Sequence, residues 1–193
     1  MKKLLITGFD PFNGNLENPS WQAVSALPDT VGEYRLQKMQ LPTVYGEAAK
    51  RVIAAAGEWA PDVILCLGLA GGRAAVTPER VGINIRSASI ADNAGHQYTD
   101  TAIIPDGPAA YFSTLPVTAM AKAIRDVGLP GAVSNSAGTY VCNDVLYTVL
   151  HHFSGTDTRV GFIHVPYLPK QGEPNMALAD MVRALQAAIT AMN

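Results

Sequence analysis

Residues 132–153 read AVSNSAGTYVCNDVLYTVLHHF, and the way this stretch folds decides the rest of the chain. A short apolar run comes first, then the small residues Ser134, Ser136, Ala137 and Gly138. A helical pattern follows, with Val145, Leu146, Val149 and Leu150 on one face. This predicts a strand, a tight turn and a helix. Cys142 falls in the first turn of that helix, where unpaired N–H groups and the positive end of the helix dipole favour a thiolate. A cysteine at a strand–helix junction is more often a small buried hydrophobe, so a nucleophile here needs a base from elsewhere in the chain.

Working outward, Lys3–Gly8 and Val63–Leu67 are continuous apolar runs that predict buried strands, and Cys66 inside the second reads as structural. Tyr34–Leu41 predicts another strand, as does Arg159–Val165, RVGFIHV, which is stopped by Pro166 and carries His164 near its end. Val81, Ile83 and Ile85 alternate as in a further strand. Asn18-Pro19-Ser20 marks a helix start, with Trp21, Val24 and Leu27 facing inward. Helical spacing also predicts Thr43–Ala56 with Val44, Ala48, Val52 and Ala55 inward, and Val117–Val127 with Met120, Ala123, Ile124 and Val127 inward. The last helix is expected over Pro174–Met192, on a stripe of Leu178, Val182, Leu185 and Ile189, while Thr99–Pro116 reads as a long loop. Strands alternating with helices predict an α/β fold, a single-domain three-layer α/β/α sandwich over residues 1–193. Its twisted, largely parallel sheet carries helices on both faces.

Composition narrows the function. Of 193 residues only 16% are charged, and the net charge is −2, so no basic patch for nucleic acid is expected. Low charge is compatible with surface buried between subunits. The apolar run in MKKLLITGFDPF is too brief for a signal-peptide core or a membrane span, and a cytoplasmic protein without membrane contact is expected. Two cysteines make no disulfide framework, and no Cys/His spacing suggests a structural zinc, so no metal is expected.

Other candidate residues are ambiguous one at a time. Phe9 and Phe12, in the turn-rich loop FDPFNGNLENPS, either cover the core edge or line a pocket. Gly68, Gly71 and Gly72 match no phosphate-binding pattern. Glu79 beside Arg80 reads as a surface ion pair, and His164 as a core histidine. His96, His151 and His152 suggest no chemistry. Taken together, Glu79, Cys142 and His164 form the inventory of a thiol nucleophile, a base and a carboxylate that fixes the base's tautomer.

TGFDPF, NPSW, GLAGGR followed by TPERVGIN, DGPAAYFSTLP, SNSAGTYVCN and GFIHVPYLP resemble, in order, the signature blocks of pyroglutamyl peptidase type I. They cover most of the chain from Leu4 to Pro169. The resemblance implies a cytoplasmic, cofactor-free cysteine peptidase, commonly a homotetramer, that removes N-terminal pyroglutamate (5-oxoproline) from peptides through a thioester. It maps the nucleophile to Cys142, the base to His164 and the orienting acid to Glu79. Phe9 and Phe12 match contacts to the lactam ring, and Asn18, Tyr140 and Val141 match positions near the pocket. The chain departs from many members in two places. Ser89 stands where they carry an arginine that is a candidate oxyanion donor, and Leu69 stands where they carry glutamine. By strand alternation Arg86 should face away and not replace the missing arginine. The alternative reading is a weakly active or non-catalytic pyroglutamyl-binding homologue. A glutaminase-like thiol amidase is a further rival, but TYVCND lacks its G-x-C-x-G elbow.

Overall fold

The computed structural model describes residues 1–193. In chain order the elements are β1 (Lys2–Phe9), α1 (Pro19–Ala26), β2 (Thr30–Val31), β3 (Tyr34–Leu41), α2 (Glu47–Trp59), β4 (Val63–Leu69) and β5 (Thr77–Pro78). They continue with β6 (Val81–Ile83), β7 (Ala110–Phe112), α3 (Val117–Asp126), α4 (Val141–His152), β8 (Arg159–Val165) and α5 (Leu178–Thr190).

Six strands form one sheet in the order β2-β3-β1-β4-β8-β5. The four central strands are mutually parallel, and the two-residue edge strands β2 and β5 run antiparallel. Alternation along the strands divides the core in two. Leu4, Ile6, Leu65, Leu67, Ile163 and Val165 pack with α1, α3 and α5. Leu5, Ile64, Cys66, Val160 and Phe162 face the other way, against α2 and α4. This is the expected three-layer sandwich, and coverage on both faces explains why β1, β4 and β8 read as apolar runs.

The differences from expectation lie at edges and turns. No strand forms at Ala132–Val133; residues 130–134 run parallel to 76–80 as isolated bridges. The Val76 and Arg80 N–H groups donate to the Pro130 and Ser134 carbonyls, and Ala132 and Ser134 donate to Val76 and Pro78. The bond that would complete this ladder needs an N–H at residue 78, which proline lacks. Helix α2 starts at Glu47 rather than Thr43, because Gly46 holds φ at +72°. The expected strand through Ile85 shortens to β6 and leaves the main sheet to pair with β7, inside the segment read as a loop. Its alternation is reversed: Gly82 is the buried residue, and a Cβ there would meet Leu146 Cγ and the Tyr147 N at 3.1 Å. Helix α3 stops at Asp126 and leaves Val127 exposed; α5 starts at Leu178, since Asn175 still pairs with Tyr167 in an extended bridge. Leu178 and Val182 are only half-buried, and Met181, Ala184, Leu185, Ala188 and Ile189 form the inner face of α5. Trp21 and Ala123 are likewise half-buried.

Candidate active site

Sheet register assembles the site. Gly68 of β4 lies directly opposite His164 of β8, and Cys66 opposite Phe162. Alternation turns all four positions toward α4, so His164 projects from the C-terminal end of the parallel strands into the layer where Cys142 begins its helix. Cys142 is the second residue of α4, after Val141. A Cβ on Gly68 would lie 2.7 Å from Cys142 Sγ and 2.9 Å from Phe162 Cζ, so only glycine leaves the thiol its space.

Glu79 reaches the same place from the edge. Thr77 pairs with His164 across β5 and β8, and the Glu79 N–H donates to the Phe162 carbonyl at 2.9 Å. The Glu79 carboxylate is fully buried, and its Oε1 lies 2.7 Å from His164 Nδ1. It is therefore no surface ion pair, and Arg80 is not its partner. Arg73 is: its Nη1 donates to the same Oε1 at 2.7 Å. Burial pushes the Glu79 carboxyl up, but the hydrogen bonds from His164 and Arg73, the charge of His164 and the nearby Ser134 hydroxyl outweigh it and hold it below the usual carboxylate range. An ionised Oε1 accepts, so Nδ1 carries the proton and the free electron pair of the neutral imidazole is on Nε2.

Cys142 departs from expectation. Burial, reinforced by the Glu79 charge and by Cys66, pushes its thiol up to about 12 against the opposing pull of Arg73. The helix N-terminus alone does not make a thiolate here, and the resting thiol keeps its proton.

Cys142 and His164 share the wall of a cavity of about 200 Å³ with Phe9, Phe12, Asn18, Thr43, Leu69, Ala70, Arg73, Ala137, Gly138 and Tyr140. This is smaller than the roughly 300–1,000 Å³ of sites for drug-sized ligands, and it suits a single ring. Phe9 is buried and Phe12 half-buried, with Phe12 packed on Tyr140 at 6.0 Å between ring centroids. Asn18 caps α1: its Oδ1 accepts from the Ser20 N–H and hydroxyl, and its Nδ2 donates to the Asp10 carbonyl. Asp10 Oδ1 in turn accepts from the Thr43 N–H and hydroxyl, both at 2.7 Å. Tyr140 is the residue before α4 and donates its hydroxyl to the Ala91 carbonyl at 2.9 Å. Val141 does not join the wall; its side chain is wholly buried in the core beneath α4.

Neither departure from the family pattern introduces a charge. Leu69 lines the cavity and Ser89 does not. Arg86 lies beyond the end of β6, so strand alternation does not set its direction; it does not line the cavity, its Nε donates to the buried Asp144 Oδ1 at 2.6 Å, and its guanidinium lies over the Tyr45 and Tyr98 rings. The loop bearing Ser89 is pinned by Asp92, whose carboxylate accepts from the Tyr45, Ala94 and His96 N–H groups. Sequence reasoning gave Arg73 no role. Its signal was an arginine closing a glycine-rich turn six residues before the acid, in a chain poor in charge. No group of three or more His, Cys, Asp or Glu side chains is arranged to hold a metal ion, and no helix is long and apolar enough to cross a membrane.

A family model described as pyroglutamyl peptidase matches residues 2–193. Pyrrolidone-carboxylate peptidase of Escherichia fergusonii is 50% identical over 196 residues, covering 98% of this chain and 92% of its own. The enzyme of the same name from Levilactobacillus brevis is 50% identical over 198 residues, covering 98% and 97%. The crystal structure of Bacillus amyloliquefaciens pyroglutamyl peptidase I superposes with a TM-score of 0.96 at 40% identity, over 100% of this chain and 97% of that one. Pyrrolidone carboxyl peptidase from Thermococcus litoralis does so with a TM-score of 0.94 at 38% identity, over 100% and 93%.

Proposed function

The chain belongs to the pyroglutamyl peptidase family, and from that premise we propose that it is a cysteine peptidase removing N-terminal pyroglutamate from peptides, with Cys142 as nucleophile, His164 as base and Glu79 as orienting acid. The observation that carries this reading is the 2.7 Å contact between His164 Nδ1 and Glu79 Oε1, behind a cavity wall shared by His164 and Cys142. A thiol pushed up to about 12 needs a base, and this contact leaves Nε2 free to accept its proton.

His164 takes the Cys142 proton as sulfur attacks the pyroglutamyl carbonyl carbon. The oxyanion is received by first-turn N–H groups of α4, which have no partner within the helix. As the tetrahedral intermediate collapses, the C–N bond breaks and His164 passes its proton to the leaving amine. Water, deprotonated by the same histidine, hydrolyses the thioester and releases pyroglutamate. Phe9, at the end of β1, Phe12 and Tyr140 supply apolar surface for the lactam, and Asn18 holds the loop after β1 that carries Phe12. A free α-ammonium would lose water here without an anionic partner in the wall, at a cost of roughly several kcal/mol. The uncharged lactam avoids that cost.

The fit of the family model to residues 2–193 supports a single catalytic domain. The low charge content and the exposed Phe112 support a homo-oligomer, a tetramer by family resemblance. The cytoplasmic assignment rests on the same resemblance.

The test is release of a fluorogenic amine from its pyroglutamyl amide by the wild type, Cys142→Ala and Ser89→Arg, with a prolyl amide as control. Turnover of the pyroglutamyl amide alone, lost in Cys142→Ala by roughly 10⁴-fold or more, is expected. A silent wild type that Ser89→Arg activates sinks the peptidase reading in favour of a binding homologue.

A further inference from the structure

The Glu79 carboxylate is held through one oxygen. Oε1 receives both His164 Nδ1 and Arg73 Nη1 at 2.7 Å, while Oε2 is buried with no hydrogen-bond partner. A carboxylate so bound is free to rotate about its Cγ–Cδ bond unless something fixes the occupied oxygen. The guanidinium does this from a rigid seat: Nη1 also reaches Thr77 Oγ1 at 2.9 Å and Ser134 Oγ at 3.2 Å, and Nη2 donates to the Ser136 carbonyl at 2.9 Å. These contacts tie the glycine-rich turn after β4 to β5 and to the segment leading into α4. The three supports of the site thus converge on one side chain.

We propose that Arg73 is a positioning residue for this reaction, acting through Glu79 to hold His164 in the tautomer and orientation that accept the Cys142 proton. This rests on the peptidase reading for its kinetic consequence but not for its geometry. The charged or titratable groups facing Glu79 are Arg73 from the turn after β4, His164 from β8 and Cys142 from α4. Arg73 is the permanent cation among them, and its planar fork serves several acceptors at once where a lysine offers a point charge. Without it the carboxylate stays buried against the imidazole with neither a countercharge nor a second donor on Oε1.

Steady-state kinetics on the pyroglutamyl amide across pH, for the wild type and Arg73→Ala, Arg73→Gln and Arg73→Lys, test this. For Arg73→Ala and Arg73→Gln, kcat should fall roughly 10- to 100-fold, the effect of one charge-assisted hydrogen bond, with KM changed less than about twofold. The acidic limb of kcat/KM should move to higher pH, because the lost guanidinium no longer opposes a second cation at His164. Arg73→Lys should recover part of kcat. A raised KM with unchanged kcat and unchanged pH profile overturns the proposal and makes Arg73 a direct substrate contact. Full activity in Arg73→Gln also overturns it. Proton NMR of ¹⁵N-histidine-labelled protein gives a readout that does not need turnover. The Nδ1-bound proton of His164 should be observed in the wild type and lost to exchange in Arg73→Gln; its persistence overturns the proposal. A silent wild type that shows this loss on substitution sinks the peptidase reading and leaves the positioning role standing.

Discussion

Cys66 and Cys142 face the same layer between the sheet and the helices α2 and α4, and burial pushes both thiols up to about 12. By intrinsic acidity they are equals. They differ in surroundings: Cys66 is enclosed in β4, while Cys142 opens on the cavity that His164 also lines. On the proposed reading, Cys142 is set apart by access and by a proton acceptor rather than by a thiol acidified in advance.

The largest test of this contrast is Glu79→Gln, which leaves both cysteines in place and removes the carboxylate held against His164 Nδ1. We expect kcat to fall by roughly 10²- to 10⁴-fold while the labelling of either cysteine in the unfolded protein is unchanged. The same substitution carries a pH signature. The folded-state carboxyl lies below its usual range, so its contribution to stability is fully present above the unfolded value and is lost as pH falls through the lower, folded value. Melting temperatures followed downward from neutral pH should decline less steeply in Glu79→Gln than in the wild type; parallel curves would show that the carboxylate is not held as described.

An intermediate effect is expected from Gly68→Ala, which crowds Cys142 and leaves Cys66, its neighbour two residues back, where it is. Its Cβ would come within 2.7 Å of Sγ. Relief of that overlap should cost roughly 1–3 kcal/mol of stability and about tenfold or more in kcat, as the sulfur moves from its place. A variant with wild-type kcat would break the assignment of this glycine to the thiol's space.

The smallest effect belongs to Cys66→Ala. Activity should stay within about twofold, and denaturant unfolding should show a loss of about 1 kcal/mol for a vacated core volume. Iodoacetamide sharpens the same comparison. Native protein should be alkylated at Cys142, with a rate that climbs through the alkaline range toward its raised value, whereas Cys66 should react only after unfolding. Native labelling of Cys66 would dissolve the distinction.

What was legible in the sequence follows the same division between enclosed and edge structure. The β3 and β8 strands fall on the predicted residues, Tyr34–Leu41 and Arg159–Val165, for different reasons: β8 is covered on both faces and leaves an apolar run, whereas β3, next to the sheet edge, shows as alternation. β2, β5 and β7 were not readable, and β6 was read too long: two or three residues carry no dependable period, and their pairing is decided by distant partners such as Tyr34, His164 and Tyr111. Gly46 and Pro78 changed local outcomes through one positive φ and one missing N–H. At the site, Cys142 and His164 were visible as residue types at the right kind of junction. Glu79 was not separable from a surface ion pair, since its burial comes from an edge contact with β8. Val141 shows the converse limit, because adjacency to Cys142 in sequence did not bring its side chain into the wall but left it buried under the helix.

The pairing of Gly68 with His164 across β4 and β8 makes the site brittle to length and tolerant of composition. Because alternate residues face opposite layers, one residue inserted before His164 in β8 would hand the imidazole to the α1, α3 and α5 side, and a second insertion would return it one step displaced. Change along these two strands is thus constrained as an integer: substitutions between apolar residues pass, whereas single insertions and deletions are filtered out.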